Sequence, residues 1–424
     1  EIYIMKINSL LIIILSIISF GCNNTESKKI NSPIESFQNS LVSNGLTGSN
    51  VFKVYKDGEI LYDNIINSNA VGDKDIDEET IFAIHSMTKT VTTVATMILH
   101  EKGSFELDDP LHNYLPEFKD INCKGPEGIY PCDNELKIIH LLTHRSGYVY
   151  YLENGENWLT ATHKNLYPAY INTSRFTNLD EFSKSVAQQP LEFEPGTMYS
   201  YGLNQALLGR LIEVVSGQSF YDFLKENIFE KFGMDETKFH LSENDRLRLQ
   251  PLRVNIKPNS GFNQTEYNLD GYTAALDGYS YMENNKAHFG GEGLVSTMRD
   301  FSKFCEMLVN DGIFENQRIL SSKSIDIMTS KYTNGYPDPN EPGVFPALAG
   351  YYMGFTFSVL ENQEVDGTGA GVGSYGWSGY HNTHFWIDPE KQLYAIFLSR
   401  SRQGVSNIDT QKEFRRAVYK SIEK

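Results

Sequence analysis

Several familiar signatures are missing from this chain of 424 residues. No Gly-x-Ser-x-Gly segment occurs, so the nucleophile turn of an α/β-hydrolase is not expected. Basic residues are scarce, since 37 Lys and Arg stand against 54 Asp and Glu, and the net charge is -17. Because nucleic-acid binding needs a basic face, this balance argues against a nucleic-acid partner. The chain also lacks internal repeats and low-complexity blocks.

Metal-binding patterns and long apolar runs are missing as well. No group of His, Cys, Asp and Glu has zinc spacing, and His100-Glu101 lacks the second histidine of a His-Glu-x-x-His helix, so we expect no metal. The apolar run from Leu10 to Phe20 is too short to span a membrane, which takes about 20 residues. The composition, 40% hydrophobic and 12% aromatic, is nevertheless ample for a large core.

The N-terminal segment predicts export. Its apolar run follows a lysine and precedes Gly21-Cys22, which is the arrangement of an export signal. Residues 1–21 resemble a bacterial lipoprotein signal with Cys22 as the lipidated residue; simple secretion is the alternative. Residues 22–35 are polar and predict a tether. We therefore expect an exported protein, held by a lipid anchor at a membrane and facing the periplasm or the cell exterior.

Export would place the remaining cysteines in an oxidising compartment. Cys123 and Cys132 flank a loop that contains Gly and Pro, and we predict a disulfide between them. Cys305 falls in an apolar stripe with helical spacing, so we expect it to be a packed core residue.

Apolar periodicity outlines the order of the elements. Residues 51–66 alternate around an Asp-Gly turn and predict a hairpin. Later helices are predicted over residues 136–147, 207–217, 219–229, 301–308 and 412–422, and later strands over residues 354–360, 384–387 and 393–399. This order fits a sheet assembled from both chain ends, with a helical region inserted between them.

Ser86 and Lys89 stand at the head of a predicted helix that is closed by Gly103. Residues three apart lie on one helical face, so the Ser86 hydroxyl and the Lys89 amine can sit side by side. A serine hydroxyl needs a neighbouring base before it can attack a carbonyl. The start of the helix adds oriented N–H groups where an oxyanion can form. Taken alone, the same pattern fits an ordinary helix start with a capping serine.

Further motifs follow Ser86-Met87-Thr88-Lys89 in a set order. They are Leu107-Asp108-Asp109-Pro110, His140-Leu-Leu-Thr-His144-x-Ser146-Gly147, Pro195-Gly196-Thr197, Leu207-Leu208-Gly209 and Gly293-Leu294-Val295-Ser296-Thr297. Together they resemble the serine β-lactamase-related superfamily, in the branch of class C β-lactamases, D-alanyl-D-alanine peptidases and class C-like esterases. The resemblance covers residues 36–420 of an expected domain at 36–424. It implies the β-lactamase/DD-peptidase fold, an α/β (α+β) arrangement with an antiparallel sheet flanked by helices and a helical subdomain.

The resemblance also implies residue roles. Ser86 would be the acylated nucleophile and Lys89 its partner in proton transfer, without a metal or organic cofactor. Tyr201 matches the family's tyrosine by its position and would be the general base; Tyr199 is the alternative. The backbone amides of Ser86 and Tyr380 would form the oxyanion hole. The Ser-Asp-Asn motif of the class A enzymes is absent.

Trp377-Ser378-Gly379 matches the family's third element in the Trp-x-Gly form seen among class C-like esterases. Tryptophan carries no charge and offers an apolar wall with one N–H donor, which favours neutral esters or amides. Tyr148 and Tyr150 are candidates to line the cleft, together with Tyr151, Trp158 and Tyr279, although ordinary packing explains these aromatics equally well. The candidate cations for a substrate carboxylate are Arg400, Arg402, His381 and His384.

The expected function is therefore that of a serine hydrolase that acts on a small-molecule ester or amide through an acyl-enzyme. One alternative is a cell-wall D,D-carboxypeptidase or penicillin-binding enzyme, which acts on peptidoglycan-type peptides, or a β-lactamase. A further alternative is a non-catalytic binding protein on the same fold.

Overall fold

The computed structural model describes residues 32–70, 73–150, 176–250, 252–255, 272–273, 285–336, 338, 348–403 and 409–423. The predicted signal segment with Cys22 lies outside these residues, as do Tyr151, Trp158, Tyr279 and the side chain of Arg402. The first helix begins inside the range predicted as a tether, because Ser32 caps it and Pro33 suits its first turn. Within the described residues, no helix meets the length and hydropathy that a bilayer-spanning segment requires.

A mainly helical middle part of the chain separates strands that come from its two ends. The helices are α1 Pro33–Ser43, α2 Thr88–Glu101, α3 Ile138–Leu142, α4 Leu179–Ala187, α5 Asn204–Ser216, α6 Phe220–Leu224, α7 Glu230–Phe232, α8 Glu243–Arg248, α9 Met298–Val309, α10 Ser322–Thr329, α11 Gln363–Asp366 and α12 Thr410–Ile422. The strands are β1 Asn50–Lys56, β2 Glu59–Ile66, β3 Phe82–Ala83, β4 Asn122–Gly125, β5 Gly128–Pro131, β6 Leu252–Asn255, β7 Tyr272–Thr273, β8 Val295–Ser296, β9 Ile313–Phe314, β10 Gln317–Arg318, β11 Tyr351–Met353, β12 Ser358–Leu360, β13 Tyr375–Ser378, β14 His384–Asp388, β15 Leu393–Leu398 and β16 Ser401–Gln403.

The central sheet joins the two halves of the chain. Its seven strands run in the order β11-β12-β13-β14-β15-β1-β2, and every neighbouring pair is antiparallel. The pairing of β1 with β15 runs from Val51 opposite Leu398 to Lys56 opposite Leu393. The prediction of an antiparallel sheet built from both chain ends is confirmed.

Both faces of the sheet are covered. Successive side chains of a strand point to opposite faces, and along β1 they enter two separate cores. Phe52 joins the smaller core, where its ring centre lies 4.2 Å from that of Phe414 on α12. Val51 joins the larger core, where Phe301 of α9 lies 5.1 Å from Phe385 of β14. The helices α2 and α5 and their neighbours in the larger core form the helical subdomain.

Some element boundaries differ from the predictions. The strand predicted over residues 354–360 is paired only at Ser358–Leu360, because Thr356 takes φ +68° and Gly354 N–H donates to the Phe357 carbonyl at 2.8 Å. That turn ends the extended conformation. The helix predicted over residues 219–229 is interrupted after Leu224 by a π-helical turn, Lys225–Phe229.

Cys123 and Cys132 form a disulfide across the β4–β5 hairpin, a segment that the sequence analysis treated as a loop. Among the described residues, one group of His, Cys, Asp or Glu side chains lies close enough to share a metal ion. It consists of Cys123, Cys132 and Glu194. The disulfide occupies both sulfurs, so this group is not a metal site. Cys305 is buried, and burial raises the pKa of its thiol well above its ordinary value.

Candidate active site

Ser86 lies in a short 3₁₀ turn, His85–Met87, that leads directly into α2. Lys89 is fully buried, and its Nζ lies 3.3 Å from Ser86 Oγ. The same Nζ donates to the Gly291 carbonyl at 2.6 Å and to the Tyr150 hydroxyl at 3.2 Å. An ammonium group has three N–H donors and is costly to bury unless they are satisfied. These acceptors come from three separate segments and hold the amine beside the serine.

Tyr150 extends this network. Its hydroxyl accepts from Lys89 and donates to Glu292 Oε2 at 2.8 Å. Gly291 and Glu292 lie in the glycine-rich segment before β8, so this segment supplies a carbonyl to the lysine and a carboxylate to the tyrosine. Glu292 was not among the residues predicted from the sequence. The sequence feature that could have indicated it is an acidic residue among the glycines of the segment 290–293.

Tyr201 lies against the same lysine. Lys89 Nζ is 4.7 Å from the centre of the Tyr201 ring, which also lies 5.6 Å from the Trp377 ring and 5.4 Å from the Tyr150 ring. Tyr199, the alternative candidate, is 1% exposed and packs against His144. Because Tyr201 lines the cleft beside Ser86 and Tyr199 does not, the geometry favours Tyr201.

His144 supports Tyr201 from behind, with ring centres 4.8 Å apart. Its Nδ1 accepts from the Gly202 N–H at 3.3 Å and lies 2.8 Å from Asn204 Nδ2. Burial, and then the charge of Lys89, hold the pKa of His144 well below its ordinary value of 6.5. A neutral imidazole is thus fixed beneath the tyrosine.

The predicted third element ends β13 and borders the cleft. An ideal Cβ on Gly379 would lie 2.0 Å from Thr383 Oγ1 and 2.5 Å from the Ile84 carbonyl, so a side chain does not fit there. The Gly379 N–H donates to the Thr383 carbonyl at 2.7 Å. This close approach brings the end of β13 to the turn that carries Ser86. Both Ser86 and Tyr380 consequently line one cleft.

A chain of hydrogen bonds runs from β13 to α12. Arg415 Nη1 lies 3.3 Å from His384 Nε2, His384 Nδ1 lies 2.8 Å from Ser378 Oγ, and Ser378 Oγ donates to Gln411 Oε1 at 2.8 Å. An arginine can only donate, so His384 Nε2 accepts and its Nδ1–H donates to Ser378. Burial, and then the charge of Arg415, hold the pKa of His384 well below 6.5.

The cleft has a volume of about 390 Å³. We define two groups of residues around it. The lysine wall comprises Ser86, Lys89, Tyr150, Tyr201 and Glu292, of which Ser86 and Tyr201 line the cleft, and the arginine wall comprises Trp377, Ser378, His384, Gln411 and Arg415, all of which line it. Gly379 and Tyr380 line the cleft as well.

Other predicted site residues lie elsewhere. Tyr148 is 3% exposed and packs 5.9 Å from the Phe118 ring in the larger core, so it is not a cleft residue. Arg400 is buried and donates to the Gln250 carbonyl. The cation that lines the cleft among the described residues is Arg415, which the sequence analysis missed because α12 carries no recognisable motif.

Comparisons with known proteins identify the family and the fold. The β-lactamase family model matches residues 40–420, so the chain belongs to the β-lactamase family. It is a serine hydrolase on that fold. Among curated proteins, esterase EstB of Burkholderia gladioli is 24% identical over 381 residues, covering 87% of this chain and 90% of EstB. Lovastatin esterase of Penicillium rubens is 23% identical, covering 91% of this chain and 97% of that enzyme.

Solved structures give the same fold. EstCE1, described as a hydrolase with promiscuous acyltransferase activity, superposes with a TM-score of 0.73 at 21% identity and covers 91% of this chain and 97% of its own. Simvastatin synthase (LovD) from Aspergillus terreus gives a TM-score of 0.70 at 18% identity, with 91% and 97% covered.

Proposed function

We propose that the protein is an esterase-like serine hydrolase in which Ser86 is the acylated nucleophile. The observation that carries the proposal is the fully buried Lys89, whose Nζ lies 3.3 Å from the Ser86 hydroxyl and 4.7 Å from the centre of the Tyr201 ring. A hydroxyl, an amine and a phenol in one cleft are the groups that acyl transfer through a serine requires. Names of the relatives EstB and lovastatin esterase support an ester as substrate.

The reaction proceeds in two steps. Ser86 Oγ attacks the ester carbonyl while the phenolate of Tyr201, held beside the Lys89 ammonium, accepts the hydroxyl proton. The carbonyl oxygen becomes an oxyanion at the backbone amides of Ser86 and Tyr380, and Tyr201 returns the proton to the departing alcohol. Water then attacks the acyl-enzyme with the same base, which releases a carboxylic acid and restores Ser86.

The cleft favours an ester with an apolar acyl group. Trp377 and Tyr201 line the cleft together with Ser86, and their rings are tilted by 43° with ring centres 5.6 Å apart. Apolar surface buried there contributes about 25 cal/mol per Å² to binding. Gln411 and Arg415 also line the cleft and would give a substrate polar partners there.

The test is covalent labelling of one serine. Incubation with a p-nitrophenyl ester or a fluorophosphonate, followed by intact-mass and peptide mass spectrometry, should find the adduct on Ser86. The Ser86→Ala variant should lose both the adduct and ester turnover while its circular dichroism spectrum stays that of the wild type. Turnover at the wild-type rate in that variant would refute the assignment.

We also propose that the protein is exported as a lipoprotein with Cys22 at its processed N-terminus. The support is the order lysine, apolar run and Gly21-Cys22 in the sequence. Expression of the full chain in a bacterium with labelled palmitate should give a labelled membrane-bound protein, and Cys22→Ala should abolish the label. A labelled Cys22→Ala variant would contradict the proposal.

A further inference from the structure

Two histidines flank the proposed oxyanion hole. His85 immediately precedes Ser86, and His381 immediately follows Tyr380. Their rings meet at a hydrogen bond of 2.6 Å between His85 Nε2 and His381 Nδ1, with ring centres 4.4 Å apart. The two residues are 4% and 1% exposed. A buried bond thus connects the neighbours of the two proposed oxyanion-hole residues, which come from opposite halves of the chain.

The backbone at His85 is unusual. Its φ is +45°, a conformation that glycine adopts freely and that strains a residue with a Cβ. The position therefore suits glycine, and yet it carries a large side chain that reaches across to His381. A strained residue persists only where the surrounding structure holds it. The bond to His381 is one such restraint.

The same two segments touch at a second point. Thr383 Oγ1 donates to the Ile84 carbonyl at 3.3 Å, and the missing side chain of Gly379 allows the approach described above. The turn at residues 84–86 and the loop at residues 379–383 are therefore joined by two neighbouring contacts, one at Ile84 and one at His85.

We propose that His85 and His381 are positioning residues that set the separation of the Ser86 and Tyr380 amides. One imidazole donates and the other accepts, so the pair acts as a brace without touching the substrate. The proposal rests on the proposed function, because the amides matter only if an oxyanion forms between them. Donors aimed at an oxyanion act mainly in the transition state, so loss of the brace should lower kcat and leave KM nearly unchanged.

The test compares two residues of similar size at position 381. His381→Leu removes the partner of His85, whereas His381→Asn keeps a polar group near the Nδ1 position. We expect kcat for a p-nitrophenyl ester, counted per fluorophosphonate-labelled site, to fall about tenfold to a hundredfold in the leucine variant. The asparagine variant should stay within about threefold of the wild type, and KM should change by less than about threefold in both. The affinity of a boronic acid, which forms a tetrahedral adduct, should fall in parallel with kcat.

A second variant separates positioning from folding. His85→Gly suits the positive φ, so it should fold and melt at or near the wild-type temperature while losing kcat as His381→Leu does. The control is His288→Asn, which changes a second histidine pair formed by the partly buried His240 and the buried His288, whose Nε2 atoms lie 3.1 Å apart. That pair does not border the cleft, so kcat should not change.

The outcomes distinguish the two proposals. If the wild type carries no adduct on Ser86, the proposed function fails and the brace fails with it. If Ser86 is labelled but His85→Gly and His381→Leu keep the wild-type kcat, or if KM alone rises, the brace is overturned. Should His381→Leu not fold, His85→Gly decides the matter by its kcat.

Discussion

The two walls of the cleft differ in how completely their polar groups are satisfied. On the lysine wall, Lys89 is fully buried and has acceptors from three segments of the chain. On the arginine wall, the hydrogen-bond chain ends at Arg415, whose nearest carboxylate oxygen is 3.9 Å away on Asp366. Its buried Nε has no hydrogen-bond partner among the described residues. The lysine wall therefore suits chemistry that needs a fixed geometry, whereas the arginine wall suits the binding of a ligand because Arg415 is a cation that lines the cleft.

The largest effect should come from the lysine wall. Lys89→Met keeps the length of the side chain but removes the charge and all three donors. We expect kcat to fall about 10²–10⁴-fold, the range typical of a lost acid–base partner, with little loss in melting temperature because an apolar group replaces a buried ion. Initial rates on a p-nitrophenyl ester and a thermal melt check both. Lys102→Met, beyond the end of the same helix, is the control, and equal rates in the two variants would contradict the assignment.

The next effect tests how far the lysine wall extends. Tyr150→Phe removes one acceptor of the Lys89 amine and separates Glu292 from the network. Leaving a buried donor unsatisfied costs about 1–3 kcal/mol, so we expect kcat to fall about tenfold. Glu292→Gln keeps an acceptor oxygen for the tyrosine and should lose less. Steady-state kinetics of the two variants measure these changes in kcat. An unchanged kcat in Tyr150→Phe would show that Tyr150 and Glu292 do not contribute to catalysis, which would leave Ser86, Lys89 and Tyr201 as the contributing residues.

On the arginine wall, the expected effect is on binding. Arg415→Met should raise KM about tenfold for an ester that carries a carboxylate on its alcohol part, because a charged hydrogen bond is lost. KM for a neutral ester should change by less than about twofold. The matched control is Arg416→Met, whose guanidinium pairs with Glu413 outside the cleft. Equal changes of KM for the charged and the neutral ester would show that Arg415 does not select charge.

The smallest effect at neutral pH concerns the buried histidine of the arginine wall. Because the pKa of His384 lies well below 6.5 in the folded protein, the unfolded chain takes up its proton first as the pH falls. The stability that this neutral histidine contributes is therefore complete above about pH 6.5 and decreases below it. His384→Gln should lose less melting temperature than the wild type between about pH 7 and pH 5. Parallel slopes of melting temperature against pH would contradict this.

Most of both walls was predictable from sequence. Ser86, Lys89, Tyr150 and Tyr201 were candidates on the lysine wall, and Trp377, Ser378 and His384 on the arginine wall, whereas Glu292, Gln411 and Arg415 were not. Ser86 and Lys89 are three residues apart on one helix start, so local geometry alone places them together. Tyr201 was found through its position between two motifs. Arg415 and Glu292 were missed because each reaches the cleft only through the packing of distant segments, and no local spacing records that convergence.

Two aromatic residues, Tyr148 and Tyr150, also show what the sequence alone could not predict. Tyr148 and Tyr150 are two positions apart on one segment, and both were candidates to line the cleft. The structure buries Tyr148 in the larger core and directs the Tyr150 hydroxyl to Lys89. In an extended segment, side chains two positions apart point to the same face. That rule would therefore place Tyr148 and Tyr150 together, and only the conformation of the loop sends them to different surroundings. The disulfide and a sheet assembled from both chain ends, by contrast, were predicted from local pattern and from the resemblance to the family.

The pairing of β1 with β15 has a consequence for biosynthesis. The strand β1 finds its partner only after the residues up to Leu398 have been synthesised, and such distant pairings form slowly. The proposed nucleophile Ser86 and the proposed oxyanion-hole residue Tyr380 likewise come from distant parts of the chain. We therefore expect a partly synthesised chain that lacks Tyr380 to lack half of the proposed oxyanion hole.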